Sequence, residues 1–293
     1  MHPGDEATGP GAPAFKPPRQ VPPPTLRALQ QVVNRYAEHH GVAPARVQRW
    51  IAFMALGAAL GRVVDETGSP RFVIKGGVSL ELRLRLRARA TKDFDAAFLG
   101  ERDAVLQALN EAFADPYEGF TFRVGGEPAA LRHMHRFDVK VEYHGRVWSS
   151  VRMEVSAYEG TPLPAEHVEA ISLAAFGLRG PETLPCLPIV KQVAQKIHAM
   201  TEVPEGGRPN ERFRDLADLW VLRGIVRPSA ELRRVCEETF RIRGTHAWPP
   251  DVVIHADWRE PFAALARDLD LAVNDTDAAA GDVREYIAAI ASV

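Results

Sequence analysis

The chain has 293 residues, 46% of them apolar and 25% charged, with a formal net charge of -2. That leaves room for one large or two modest domains with a sizeable core, and it excludes a globally basic protein, so any nucleic-acid surface must be a local patch. No run approaches the ~18 apolar residues of a membrane span, no apolar secretory segment is visible, and Cys186 and Cys236 read as small buried residues of a reduced, cytoplasmic protein.

In chain order, residues 1–24 carry Pro, Gly and Ala without apolar periodicity and read as a disordered tail. From Thr25, the spacing of Leu26, Leu29, Val32, Val33 and Tyr36 predicts a helix. A second helix follows Pro44, with apolar positions from Val47 to Val63, and is predicted to end near 67–70. Residues 72–74 form a short buried strand that ends at Gly76-Gly77. Over 78–89 the alternation of Leu and Arg fits a strand, whereas the composition fits a helix. A strand–turn–helix–strand order lets two strands pair across a short crossover, which favours the helix. A second apolar strand opens with Asp93-Phe94-Asp95, and a helix follows over 103–114. Strands are predicted over 120–124, 137–143 and 146–156, the last two joined as a hairpin around His144-Gly145. From 187 the pattern is helical: a helix entered at Pro188, a breaker-rich loop over 203–210, a helix placing Asp215 and Asp218 on one face, a further helix over 228–244, and terminal helices over 258–270 and 276–291. This order predicts an α/β (α+β) fold, a small mixed sheet with a helical C-terminal domain. The expected divisions are a tail over 1–24, a core over 25–170 and a C-terminal domain over 171–293.

Most of the chemistry lies in 72–98. Residues i and i+2 of a strand share a face, so Asp93 and Asp95 project together while Phe94 points into the core. Two carboxylates on a rigid strand offer the oxygen ligands a hard cation wants. The apolar neighbours Ala96, Ala97 and Phe98 raise the cost of unpaired charge and favour a bound Mg²⁺. A Gly76-Gly77 turn can bring backbone N–H groups close to phosphate oxygens. Together these suggest metal-assisted nucleotidyl transfer. Glu154 faces away from the apolar set Val151, Met153 and Val155, and alone it reads as an exposed strand residue. The run Arg83, Arg85, Arg87 and Arg89 is the best local candidate for RNA binding: on a helix Arg83 and Arg87 share a face, and Arg85 and Arg89 another. Its bland alternative is a solvated face with Glu81 as partner.

The pieces KGGVSLELR at 75–83, RATKDFD at 89–95, RMEVS at 152–156, KQVAQKIHA at 191–199 and RFRDLADL at 212–219 occur in the order of a known family. The chain resembles the AbiEii/AbiGii-type nucleotidyltransferase toxins, and the MenT-like toxins among them. The resemblance implies a polymerase-β-like nucleotidyltransferase core. It implies Asp93 and Asp95 as the metal pair of a two-metal Mg²⁺ site, and Glu154 as a third carboxylate that helps activate the acceptor. It implies Lys196 as a lysine steadying the NTP phosphates, and Asp218, with Asp215 as companion, in catalysis or in orienting Lys196. Lys75, Gly76 and Gly77 would contact the nucleotide. A hydroxyl residue often follows the second glycine directly; here that position is Val78, and Ser79 is the substitute. Thr91 matches a position that an antitoxin kinase can phosphorylate in MenT-like relatives. The implied function is a toxin that transfers NMP to the 3′ acceptor end of tRNA and blocks translation, a monomer when free, with a cognate antitoxin of repressor or kinase type. Two alternatives stand beside it: a protein or small-molecule acceptor, and a non-enzymatic nucleotide- or RNA-binding module.

Overall fold

Thr25 is extended, and its hydroxyl accepts from the Ala28 amide, which starts α1 (Leu26–His40); Gly41, left-handed at φ 63°, closes it. This is seen in a computed structural model, which describes residues 21–131, 134–203, 210 and 212–293. Most of the expected tail (1–20) and of the expected loop (204–209) therefore lies outside the described residues.

Proline in the first turn suits the start of α2 (Pro44–Leu60). The helix ends well before the predicted 67–70. Asp65 Oδ1 accepts from the amides of Thr67 and Ser69, and Val64 bridges Pro70, so this stretch closes a turn of its own.

The chain divides into two compact units. The first comprises the described residues of Met1–Arg83, Ala90–Ala157 and His167–Cys186. Its strands are β1 (Phe72–Ile74), β2 (Asp93–Phe98), β3 (Phe120–Leu131), β4 (Met134–Tyr143), β5 (Arg146–Ala157), β6 (Glu166–Glu169) and β7 (Thr183–Cys186). They form one seven-stranded mixed sheet in the order β3-β4-β5-β2-β1-β7-β6, wider than the small sheet expected. β1 and β2 are antiparallel across the crossover helix α3 (Gly76–Leu84), and β2 runs parallel to β5. β7 adds to β1 in parallel, Ile74 beside Cys186, so a break at 170 would cut β7 from the sheet it completes. The β4–β5 hairpin turns where expected: His144 and Gly145 both have positive φ, 47° and 74°, the geometry that matches strand twist.

Alternation decides which face is covered. Phe94 is fully buried with its ring centroid 5.6 Å from that of Phe53 on α2, and Val151, Met153 and Val155 are buried on the same side. Asp93, Asp95, Arg152 and Glu154 stay on the open side, exposed or half-buried. α4 (Val105–Ala112) completes this unit's helices among the described residues.

The second unit comprises Leu84–Arg89, Tyr158–Glu166 and the described part of Leu187–Val293. It holds α5 (Ile189–Thr201), α6 (Phe213–Leu222), α7 (Ala230–Arg243), α8 (Arg259–Asp268) and α9 (Thr276–Ser292). Ser229 and Asp275 cap α7 and α9 with side-chain oxygens. Cys186 and Cys236 are buried thiols that form no disulfide, as their sparseness implied. Among the described residues, no helix is long and apolar enough to cross a membrane.

Candidate active site

Three adjacent strands build the site in the first unit. The register sets Asp93 beside Arg152 and Arg152 beside Asp138; one step along, Asp95 lies beside Glu154 and Glu154 beside Arg136. Neighbours across a ladder lie close enough for their side chains to interact. Asp93 and Asp95 share the open face while Phe94 is buried between them, as alternation predicts.

Gly76 opens α3 with φ 61°. A Cβ at this position would stand 2.0 Å from Asp95 Oδ2, so the carboxylate lies on backbone that only glycine leaves open. A Cβ at Gly77 would meet Thr91 Oγ1 at 2.7 Å. The Gly-Gly pair is thus the first turn of a helix, covered by two side chains of its own chain. Lys75 spans the same corner: its amide donates to the Asp95 carbonyl at 2.9 Å, and its Nζ donates to Ser156 Oγ at 2.8 Å.

This donor set fits a hard cation in one respect and departs from expectation in another. Asp93 is 44% exposed at its side chain, and Asp95 is held over Gly76. Among the described residues, no three His, Cys, Asp or Glu side chains come together as a metal cage. Mg²⁺ is commonly held by one or two carboxylates, with water and substrate phosphates filling its other positions, and Asp93 with Asp95 match that pattern. Glu154 stands in the expected register, but its Oε1 accepts from Arg136 Nε at 2.9 Å and Nη2 at 2.7 Å. The expected third ligand is therefore an arginine-bound carboxylate.

The arginine run does not form one helical surface. α3 stops at Leu84; Arg85 takes a positive φ of 57°, and Arg85–Arg87 make a single 3₁₀ turn. Arg83 turns back onto the Ser79 hydroxyl, Arg89 pairs with Asp218, and Arg87 is exposed. Glu81 is buried and pairs with Arg46 at 3.1 Å rather than with the run. Ser79 is fully buried with Arg83 on its hydroxyl, so it presents no hydroxyl to a ligand in place of Val78. Thr91 precedes β2 rather than lying on it; it is buried, and its hydroxyl donates to the Asp93 carbonyl at 3.2 Å.

In the second unit, α6 presents Asp215 and Asp218 on one face, as their spacing predicts. Both meet Lys196 of α5: its Nζ donates to Asp215 Oδ1 and to Asp218 Oδ2, each at 2.6 Å. Arg89 reaches Asp218 at 3.3 Å and Arg212 reaches Asp215 at 3.5 Å. Burial opposes the Lys196 charge, yet the two carboxylates outweigh it and hold the ammonium above its usual range. Burial likewise opposes the Asp215 carboxylate, while Lys196 and then Arg212 hold it below the usual range. The result is a buried, neutralised knot in which each acid fixes the lysine.

Arg136 and Arg152 are the site residues that motif reading misses. The available signal was strand alternation, which puts Arg152 on the face of Glu154.

A family model described as nucleotidyl transferase AbiEii toxin, type IV TA system, matches residues 58–290. The fold is similar to that of MenT4, a nucleotidyltransferase toxin from Mycobacterium tuberculosis H37Rv, with 20% identity, 91% of this chain and 99% of that chain covered, and a TM-score of 0.54. JHP933 from Helicobacter pylori aligns at 15% identity over 89% of this chain and 92% of that one, with a TM-score of 0.41. Among curated protein sequences, none matches the chain.

Proposed function

The chain belongs to the AbiEii nucleotidyltransferase toxin family of type IV toxin–antitoxin systems, and from that premise we propose that it transfers NMP from an NTP to the 3′ end of tRNA, with Mg²⁺ held by Asp93 and Asp95. Membership makes it an enzyme, a nucleotidyltransferase toxin with an antitoxin partner, which sets aside a non-enzymatic binding module. The observation that carries the reading is the aspartate pair on the open face of β2, with Asp95 laid over Gly76.

When bound, Mg²⁺ would supply charge neutralisation at the reacting phosphate. The residues of the chain do the rest. Asp93 and Asp95 fix the cation from a rigid strand. Arg152 and Lys75 add positive charge on either side of the pair. The acceptor 3′-oxygen attacks the α-phosphorus, the bond to the bridging oxygen breaks and pyrophosphate leaves. Glu154, oriented by Arg136, takes the hydroxyl proton. In a two-metal arrangement the second cation would take the other oxygen, Oε2, of Glu154, whose Oε1 is held by Arg136.

Lys196 with Asp218 and Asp215 keeps its place in the reading as the motif lysine and its acids. Lys196 is buried and gives two of its three N–H groups to the carboxylates, so anchoring the Asp215–Lys196–Asp218 knot is its first role. Thr91 is the point of control by a kinase-type antitoxin. A phosphate there adds about -2 charge against Gly77 and beside Asp93, and it first requires the Thr91–Asp93 bond to open. A repressor-type antitoxin needs no such opening.

One observation favours a second acceptor class. Two arginines of the 83–89 run, Arg83 and Arg89, are already engaged within the chain rather than held out for an RNA backbone. A protein or small-molecule acceptor is the alternative. An RNA acceptor predicts transfer that falls steeply with salt; a small acceptor does not. Incubation with total tRNA and each labelled NTP in turn tests the reading, and label on the 3′ ends supports it.

A further inference from the structure

Resting on Asp93 and Asp95 as the cation ligands, we propose that Arg152 is an exchangeable counter-ion: it faces Asp93 until a divalent cation takes that carboxylate, and then turns to the phosphates of the nucleotide.

The two arginines on the open face of β4 and β5 are held very differently. Arg136 is bound to Glu154 by two hydrogen bonds of 2.9 and 2.7 Å. Arg152 Nη1 stands 3.9 Å from Asp93 Oδ1, too far for a hydrogen bond. Both members of that pair are open to water, at 57% and 44% side-chain exposure. Such a pair is weak and opens readily. Arg136 orients an acid; Arg152 is a cation with a loose attachment beside the aspartate pair.

Cation binding reverses its surroundings. A divalent ion on Asp93 removes the attraction and adds repulsion over a few ångströms. A nucleoside triphosphate arriving with that ion brings non-bridging phosphate oxygens, which a planar guanidinium binds through two parallel N–H groups. Arg152 therefore exchanges a carboxylate for phosphate oxygens without leaving the face. Lys75, bonded to Ser156 Oγ on the same strand, supports the anion from the other end of this row. The consequence is a pair of effects with opposite signs. Arg152 weakens binding of the bare cation and strengthens binding of the nucleotide.

The test uses the full chain with Mn²⁺ as a paramagnetic probe, titrated by EPR, and the four α,β-methylene NTPs titrated calorimetrically at saturating Mn²⁺. Arg152→Gln is expected to bind Mn²⁺ alone about three- to tenfold more tightly, and to bind the preferred nucleotide analogue about tenfold more weakly. Arg152→Lys keeps the charge but not the fork, so its Mn²⁺ affinity should match wild type while its nucleotide affinity falls between the two. The side chain is exposed, so neither change opens a cavity. Unchanged or weaker Mn²⁺ binding by Arg152→Gln, or unchanged nucleotide binding, overturns the proposal alone. If wild type binds no Mn²⁺, as an Asp93→Asn control should not, the cation reading fails and this proposal goes with it.

Discussion

Arg136 stands opposite Glu154 in the β4–β5 ladder and places two hydrogen bonds, 2.9 and 2.7 Å, on one oxygen of its carboxylate. Glu154 in turn stands beside Asp95. The arginine therefore fixes the acid that flanks the aspartate pair, and in the proposed mechanism it acts on the reaction only through that acid. Glu154→Gln should lower kcat by about a hundredfold, the scale of a lost acid–base group. Arg136→Ala should lower it by about tenfold, and the double variant should be no slower than Glu154→Gln, because coupled residues are not additive. Independent, multiplying losses would show that Arg136 does not work through Glu154.

Gly76→Ala places a methyl group where Asp95 Oδ2 lies and puts alanine at φ 61°. The left-handed backbone costs about 1–2 kcal/mol, and Asp95 must move. Urea unfolding should show that loss of stability, and Mn²⁺ binding should disappear. Retained Mn²⁺ affinity would show that Asp95 is not a ligand.

Lys196→Ala leaves Asp215 and Asp218 buried around a missing cation. Breaking a buried pair from one side costs about 3–5 kcal/mol, and denaturant unfolding should register it. A variant that is inactive but as stable as wild type would move Lys196 from the knot to the substrate.

His198 is buried, with Thr245 Oγ1 at 3.1 Å from one ring nitrogen and Arg243 Nη1 at 3.4 Å from the other. Burial first, then Arg243 and His246, push its pKa down to about 3. Unfolded, it takes a proton near pH 6.5. The unfolded chain therefore binds more protons between these values, and stability falls as pH drops from about 6.5 towards 3. By pH 4.5 this group alone should remove about 2–3 kcal/mol. His198→Gln should flatten that part of the stability–pH curve. An equal acid slope in the variant would assign the loss to other groups.

Local rules sufficed where one periodicity or one cap decides. Alternation alone separates Asp93 and Asp95 from Phe94, and helical spacing alone puts Asp215 and Asp218 on one face. Elsewhere a long-range event intervened. Counting back from the His144-Gly145 turn sets His135 opposite Glu154. An irregularity between Val141 and Glu142 shifts the ladder by one and brings Arg136 there instead. Nothing in the local sequence announces that shift. Leu–Arg alternation over 78–89 carries no mark of the left-handed residue at Arg85 that ends the crossover helix. β7 is four residues, TLPC, too short for a period, and only its pairing with β1 makes it a strand.

The most direct test is label transfer from each [α-³²P]NTP to total tRNA with Mg²⁺, comparing wild type with Asp93→Ala and Asp95→Ala. The account predicts label on tRNA 3′ ends with the wild type, lost with EDTA and in both variants. Transfer that survives either substitution would contradict the aspartate pair as the catalytic centre, and no transfer to tRNA with any NTP would contradict tRNA as the acceptor.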